Sequence, residues 1–155
     1  MTKQEIKDEM KNAEGSPEIK QRIRRTQMEM SQRRMLAEVP NSDVVITNPT
    51  HFSVALKYDL NSGGAPKLVA KGADEMAMHI RKIAKENGVE IIQSAALTRS
   101  LYYTTEADED IPEQLFAAVA QVLAFVFQLK EHRKGKARRP IPLAKKLPIP
   151  EDYMY

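Results

Sequence analysis

The chain has 155 residues, 42% hydrophobic and 29% charged, which suits one modest core with extensions. It holds no cysteine and no tryptophan, so disulfides and thiolate metal sites are excluded and a reducing compartment fits. The formal net charge is only +3, but it is spread unevenly. Ile19 to Arg34 carries Lys20, Arg22, Arg24, Arg25, Arg33 and Arg34 against Glu29 alone, and Lys130 to Lys146 carries eight basic residues against Glu131. No uninterrupted apolar run reaches the roughly 20 residues of a membrane helix. The start, Met1-Thr-Lys-Gln-Glu5, has no signal-peptide character. The chain therefore reads as cytosolic, or as a soluble piece of a longer protein.

In chain order, residues 1–14 read as a polar helix with few apolar anchors, interrupted at Gly15-Ser-Pro17. Ser16 can cap a second helix with Pro17 in its first turn. That helix runs to about Ala37 on a thin stripe of Ile19, Ile23, Met28, Met30, Met35 and Leu36, and Pro40 ends it. So weak a stripe predicts a helix that projects from the domain or orders against a partner. Asp43-Val-Val-Ile-Thr-Asn48 is a first strand and Pro49-Thr-His51 a turn. Phe52 to Tyr58 alternates as a second strand. A loop at Asn61-Ser-Gly-Gly64 leads to a third strand over Pro66–Gly72.

Ala73 to Asn87 is the clearest helix, with Ala73, Met76, Ala77, Ile80, Ile83 and Ala84 on one face and Gly88 closing it. Val89–Gln93 is a fourth strand, Leu97–Tyr103 a short helix, and Pro112 opens a long helix to about Lys130. The fold class is thus α/β: a small mixed sheet of about four strands surrounded by helices, preceded by a long charged helix. We divide the chain into a charged helical linker (1–40), an α/β domain (41–134) and an extended Pro/Lys-rich tail (135–155). Asp108-Glu-Asp110 is placed ahead of the last helix as electrostatic support. Met76 and Met78 are assigned to packing. His79 and His132 have no metal-ligand spacing and read as surface residues, so no cofactor and no metal is expected.

The residues that carry chemistry are Asn48-Pro49-Thr50-His51. Asparagine cyclises by two routes. Attack by the next backbone nitrogen on the side-chain carbonyl leads to deamidation, but proline has no N–H and closes that route. The other route is attack by the Asn48 side-chain nitrogen on Asn48's own backbone carbonyl, which expels Pro49 as a new amino terminus. Orientation in a fold can supply up to about 7–11 kcal/mol towards such a barrier. Proline also biases Asn48 towards extended geometry. The leaving nitrogen needs a proton and the oxyanion needs donors. His51 is a candidate proton carrier, and Thr50 a candidate donor through its backbone or hydroxyl. Taken alone, an Asn-Pro pair after a strand is more often simply a turn.

The stretch Asp43-Val-Val-Ile-Thr-Asn-Pro-Thr-His-Phe-Ser-Val-Ala-Leu-Lys-Tyr-Asp59 resembles the signature of the type III secretion switch family, whose N-P-T-H motif falls on Asn48, Pro49, Thr50 and His51. Further matching segments lie at Gly15–Arg24, Ala65–Asp74, Ile80–Val89, Arg99–Tyr102 and Ile111–Ala124, so the resemblance covers about residues 10–130. Val54-Ala-Leu-Lys-Tyr-Asp59 and Lys67-Leu-Val-Ala-Lys-Gly72 are closer to the flagellar branch than to the injectisome branch, which is the alternative. Ala96-Leu-Thr-Arg99 departs from the usual Pro-Leu-Ala-Arg.

The resemblance implies a membrane-anchored amino-terminal portion outside this chain. It places this domain in the cytoplasm, at the inner face of the bacterial membrane and under the export gate. It implies cleavage between Asn48 and Pro49 with both pieces staying together, as burial across the cut would allow. It further implies a change of exported substrate from rod and hook proteins to filament proteins. Partners would be other export-gate proteins, a hook-length control protein, the export substrates and the cleaved fragment itself. The protein would cut itself once rather than turn over an external substrate. Arg22, Arg24 and Arg25 suit an anionic membrane surface. Two other classes are weaker. A nucleic-acid module is suggested by the basic ends but lacks interleaved aromatics and a recognisable motif, so no nucleic acid is expected. A hydrolase built on His51 lacks a serine or cysteine nucleophile pattern.

Overall fold

The computed structural model describes residues 2–12, 16–59, 61 and 63–155. Contacts divide it into two compact units, residues 1–37 and 38–155. The first holds helix α1 (Lys3–Asn12) and most of helix α2 (Pro17–Glu38). The Ile19 amide reaches the Ser16 hydroxyl at 3.5 Å, the capping contact expected of Ser16 ahead of Pro17. Ile23 is the buried residue of α2, and Ile6 of α1 is also buried, while Met28 is exposed.

The second unit opens with a 3-10 turn at Val39–Asn41, which contains Pro40. A five-stranded sheet follows in the order β4-β1-β2-β3-β5. Its strands are β1 (Val44–Asn48), β2 (Phe52–Lys57), β3 (Lys67–Ala73), β4 (Glu90–Gln93) and β5 (Glu109–Asp110). β1, β2 and β3 form an antiparallel meander, and β4 returns parallel to β1. The fifth strand is the departure from the four expected. Glu109 and Asp110 pair with Leu68 and Lys67 instead of merely preceding a helix, and Lys67 lies 3.7 Å from the Asp110 carboxylate.

Strand alternation sorts the core into two layers. Val44, Ile46, Val54, Leu56 and Leu68 face helices α4 (Ala95–Thr104) and α5 (Phe116–Arg133), burying Leu97 and Leu101 of the first and Val119, Val122 and Val126 of the second. Val45, Ala55 and Ala70 belong to the other face, covered by helix α3 (Glu75–Glu86) through Ala77, Ile80 and Ala84. The register of β3 slips between Ala55↔Ala70 and Leu56↔Leu68. Val69 is the extra residue of a bulge that keeps small Ala70 under α3 and Leu68 in the opposite layer.

By length and composition alone, the helix spanning Glu113–Arg133 is long and apolar enough to cross a membrane, against the sequence expectation. Here its inner face is core, with Ala118, Val119, Val122, Leu123 and Val126 buried. Beyond it the chain is extended. Leu147 is buried, and Leu143, Ile149 and Tyr153 pack against the same core. Met76 is half-buried on α3, whereas Met78 is 61% exposed and takes no part in packing, a correction to its sequence assignment. His79 and His132 are exposed.

Gly72 permits the close approach of β3 to α3. A Cβ there would collide with the Met76 side chain and come within 3.0 Å of the Met76 backbone carbon. Gly72→Ala is expected to destabilise the domain by about 1–3 kcal/mol through overpacking, read as a lower urea midpoint with an unchanged slope.

Candidate self-cleavage site

Asn48 is the last residue of β1 and pairs across the hairpin with Phe52. The loop between them is Pro49-Thr50-His51. The His51 amide donates to the Asn48 carbonyl oxygen at 3.0 Å, which closes a β-turn over Asn48–His51. Thr50 has φ 71°. Proline at the first corner fixes φ near −65°, which rules out the primed turns usual in hairpins and leaves a type II turn with its positive φ at position 50. A β-branched residue rarely occupies that region, at a strain of order 1–3 kcal/mol. The loop is tied down from outside: the amide of Asp74, itself at φ 50°, donates to the His51 carbonyl at 2.8 Å.

The period of two puts the Asn48 side chain on the α4 face, with Ile46 and Phe52. Asn48 is only 9% exposed. Among the described residues its carboxamide makes no hydrogen bond, so its nitrogen is not held by a competing acceptor. The neighbouring wall is aromatic. Phe52 stacks on Tyr102 at 4.3 Å, and Tyr103 meets both rings edge-on. Lys71 anchors that wall. Its Nζ donates to the Tyr102 carbonyl at 2.9 Å and pairs with Glu106 at 3.0 Å, and it lies 4.9 Å from the Tyr102 ring centroid.

The opposite face of the strand end is polar. The Thr47 hydroxyl donates to the Phe52 carbonyl at 3.0 Å and lies 3.3 Å from the Ser53 hydroxyl. Ser53 donates on to the Ala77 carbonyl of α3 at 3.0 Å, and Arg81 Nη1 donates to Thr47 Oγ1 at 3.4 Å. The Ser94 amide takes the Thr47 carbonyl at 3.0 Å. The residue before Asn48 is therefore fixed through both its side chain and its backbone.

All four sequence candidates meet in this one turn. The donor at the Asn48 carbonyl is the His51 backbone amide, not a group of Thr50, whose side chain is exposed. The His51 imidazole is also exposed, with its ring centroid 6.4 Å from that of Phe52. Thr47, Ser53, Lys71 and Arg81 were not singled out from sequence. A detectable signal existed for two of them: Thr47 is the polar residue in the run Val44-Val-Ile-Thr47, and Arg81 follows Ala77 by one helical turn beside the apolar face. Among the described residues no cluster suited to a metal ion occurs.

Relief of the positive φ has a measurable consequence. In an Asn48→Ala background, Thr50→Gly is expected to raise stability by about 0.5–1 kcal/mol, the strain relief exceeding the added chain entropy, as read from the thermal midpoint.

Residues 1–126 match the family described as FlhB HrpN YscU SpaS. The chain is 49% identical to the flagellar biosynthetic protein FlhB of Salmonella typhimurium over 99% of its own length and 40% of that protein's. It is 50% identical to the FlhB of Bacillus subtilis over 84% of its length and 36% of that protein's. It thus spans about two fifths of these curated relatives. Among solved structures it is similar to the cytoplasmic domain of FlhB from Shewanella putrefaciens, at 51% identity and TM-score 0.76, covering 80% of this chain and 95% of that one. It is also similar to a mutated EscU C-terminal domain, at 29% identity and TM-score 0.57, covering 59% and 92%. The chain belongs to the FlhB HrpN YscU SpaS family.

Proposed function

We propose that this chain is the cytoplasmic part of a flagellar protein-export component, and that it cuts itself once between Asn48 and Pro49. The observation that carries the reading is the state of Asn48: a largely buried residue whose carboxamide has no hydrogen-bond partner among the described residues, at a rigid strand end, next to a carbonyl already accepting from the His51 amide.

The Asn48 side-chain nitrogen attacks the Asn48 backbone carbonyl carbon. The bond from that carbon to the Pro49 nitrogen breaks, and a proton from the amide NH2 ends on the Pro49 nitrogen. The 48-residue piece then ends in a cyclic imide. The His51 N–H is aimed at the oxygen on which negative charge develops, the role of an oxyanion donor. The exposed His51 imidazole lies where a proton can be exchanged with water.

The two pieces stay joined because the cut separates neighbouring strands in the middle of one sheet. β1 and β2 keep five cross-strand pairs, and both faces remain covered. Family membership supports the larger setting: a membrane-anchored protein at the cytoplasmic face of the inner membrane, working with other export components. Change of specificity from rod and hook to filament substrates, and recognition by a hook-length control protein, belong to that setting.

Mass analysis of denatured protein is expected to give residues 1–48 and 49–155 as separate species. Asn48→Ala is expected to give one intact chain. Pro49→Ala restores a backbone N–H, so cutting slows and deamidation at Asn48 appears. A single unbroken chain after long incubation of the folded parent sinks the reading.

A further inference from the structure

Arg81 is a half-buried cation in the middle of α3. Among the described residues it makes one hydrogen bond, the 3.4 Å contact to Thr47 Oγ1, and no carboxylate pairs with it. A guanidinium carries five donors in a planar fork suited to a carboxylate, so four are left over at the end of β1. The other half-buried cation near this strand end, Lys71, is fully engaged by Tyr102 and Glu106 on the opposite face.

Cleavage creates the missing partner. Water adds to one imide carbonyl and the bond from that carbon to the imide nitrogen breaks. Attack at the former backbone carbonyl gives an α-carboxylate, and attack at the side-chain carbonyl gives a β-carboxylate. In either case residue 48 gains one negative charge, and the proton released balances the ammonium formed at Pro49; the β-carboxylate would lie on the α4 face with the side chain, so the α-carboxylate at the strand's new end is the one within reach of the α3 face. The carboxylate lies one residue beyond Thr47, about 3.3 Å along the strand. The new ammonium sits on the solvent-facing turn.

We propose that Arg81 is the receptor for the carboxylate that cleavage creates at residue 48, a contact absent from the uncut chain that holds the two pieces together. The inference rests on the self-cleavage reading above. It gives the cut form its own ion pair across the break, between residues 1–48 and α3 of the other piece. Residue 48 cannot form it beforehand, because it is then a neutral peptide.

The test uses the whole chain, first incubated until denaturing mass analysis shows both pieces. Release of piece 1–48 is then followed by size exclusion over a urea series, for the parent and for Arg81→Gln. The same substitution is made in the uncut Asn48→Ala chain, where global unfolding is followed. Loss of a charge-assisted contact is expected to raise release from the cut protein about tenfold, while the unfolding equilibrium of the uncut chain shifts less than about threefold. Arg81→Lys keeps the charge but not the fork, so it is expected to fall between parent and Arg81→Gln in the cut form only. It carries the test if Arg81→Gln does not fold. Equal shifts in cut and uncut backgrounds, or no change in release, make Arg81 a structural strut and overturn the assignment. A parent chain that never separates into two masses overturns the self-cleavage reading itself, which is a distinguishable outcome.

Discussion

The β1–β2 hairpin must be closed around a residue with no backbone N–H. Proline at position 49 forbids the left-handed first corner that two-residue hairpin turns use, so the positive φ falls on Thr50. That conformation does not persist on its own merits. It is held because β1 and β2 lie at the centre of the sheet and are covered on both sides, with Val44, Val45, Ile46, Val54, Ala55 and Leu56 fully buried. Each large aliphatic among them contributes about 1.5–3 kcal/mol by burial, against a strain of about 1–3 kcal/mol at one residue. The sheet therefore dictates the turn, and the turn dictates where the Asn48 carbonyl and the His51 amide meet.

The same arithmetic bears on what would drive the proposed scission. Release of the Thr50 strain offers at most a few kcal/mol, and one hydrogen bond to a developing oxyanion about 2.7–4 kcal/mol. Holding a nucleophile at attack distance offers more, up to about 7–11 kcal/mol. The architecture is consistent with that ranking. Around Asn48 the fixed elements outnumber the ionisable ones: Thr47 is held through its side chain and backbone, Phe52 is stacked, and Asp74 ties down His51. The one imidazole in the turn is exposed. On the proposed reading, geometry is the larger contribution at such a site.

How much of this was legible in the sequence follows from the range of the interactions. The alternation of Phe52 to Tyr58 and the helical face at Ala77, Ile80 and Ala84 are local periodicities, and each became the expected element. The Asn48–Pro49 chemistry is a covalent property of adjacent residues and needs no fold to be noticed. β5 was missed because Glu109 and Asp110 form a strand only by meeting Lys67 and Leu68, some forty positions earlier. The bulge at Val69 is invisible for the same reason, since a register slip exists only against a partner strand. At the site itself, the amide that reaches the Asn48 oxygen could be assigned only once the turn type was fixed. The Thr47–Arg81 contact spans 34 residues, and no spacing rule connects its ends.

A site used once differs from an enzyme's in what it must preserve. A turnover catalyst has to return to its starting state, so its strained or unpaired groups need to be restored in every cycle. Here the proposed reaction opens the strained turn, and the groups around it need only suit the uncut chain before and the cut chain afterwards. The two faces of β1 divide that work. On the α4 face, the side chain of Asn48 lies beside the aromatic wall that Lys71 anchors, where Lys71 is already paired. On the α3 face, the guanidinium of Arg81 meets one protein acceptor among the described residues, and on the proposal above it gains a carboxylate after the cut. Its remaining donors reach solvent, so its place beside the one bond whose rupture yields an anion bears on the cut chain rather than on any burial cost in the uncut one. On the proposed reading, the cut chain gains an ion pair at this strand end that the uncut chain lacks.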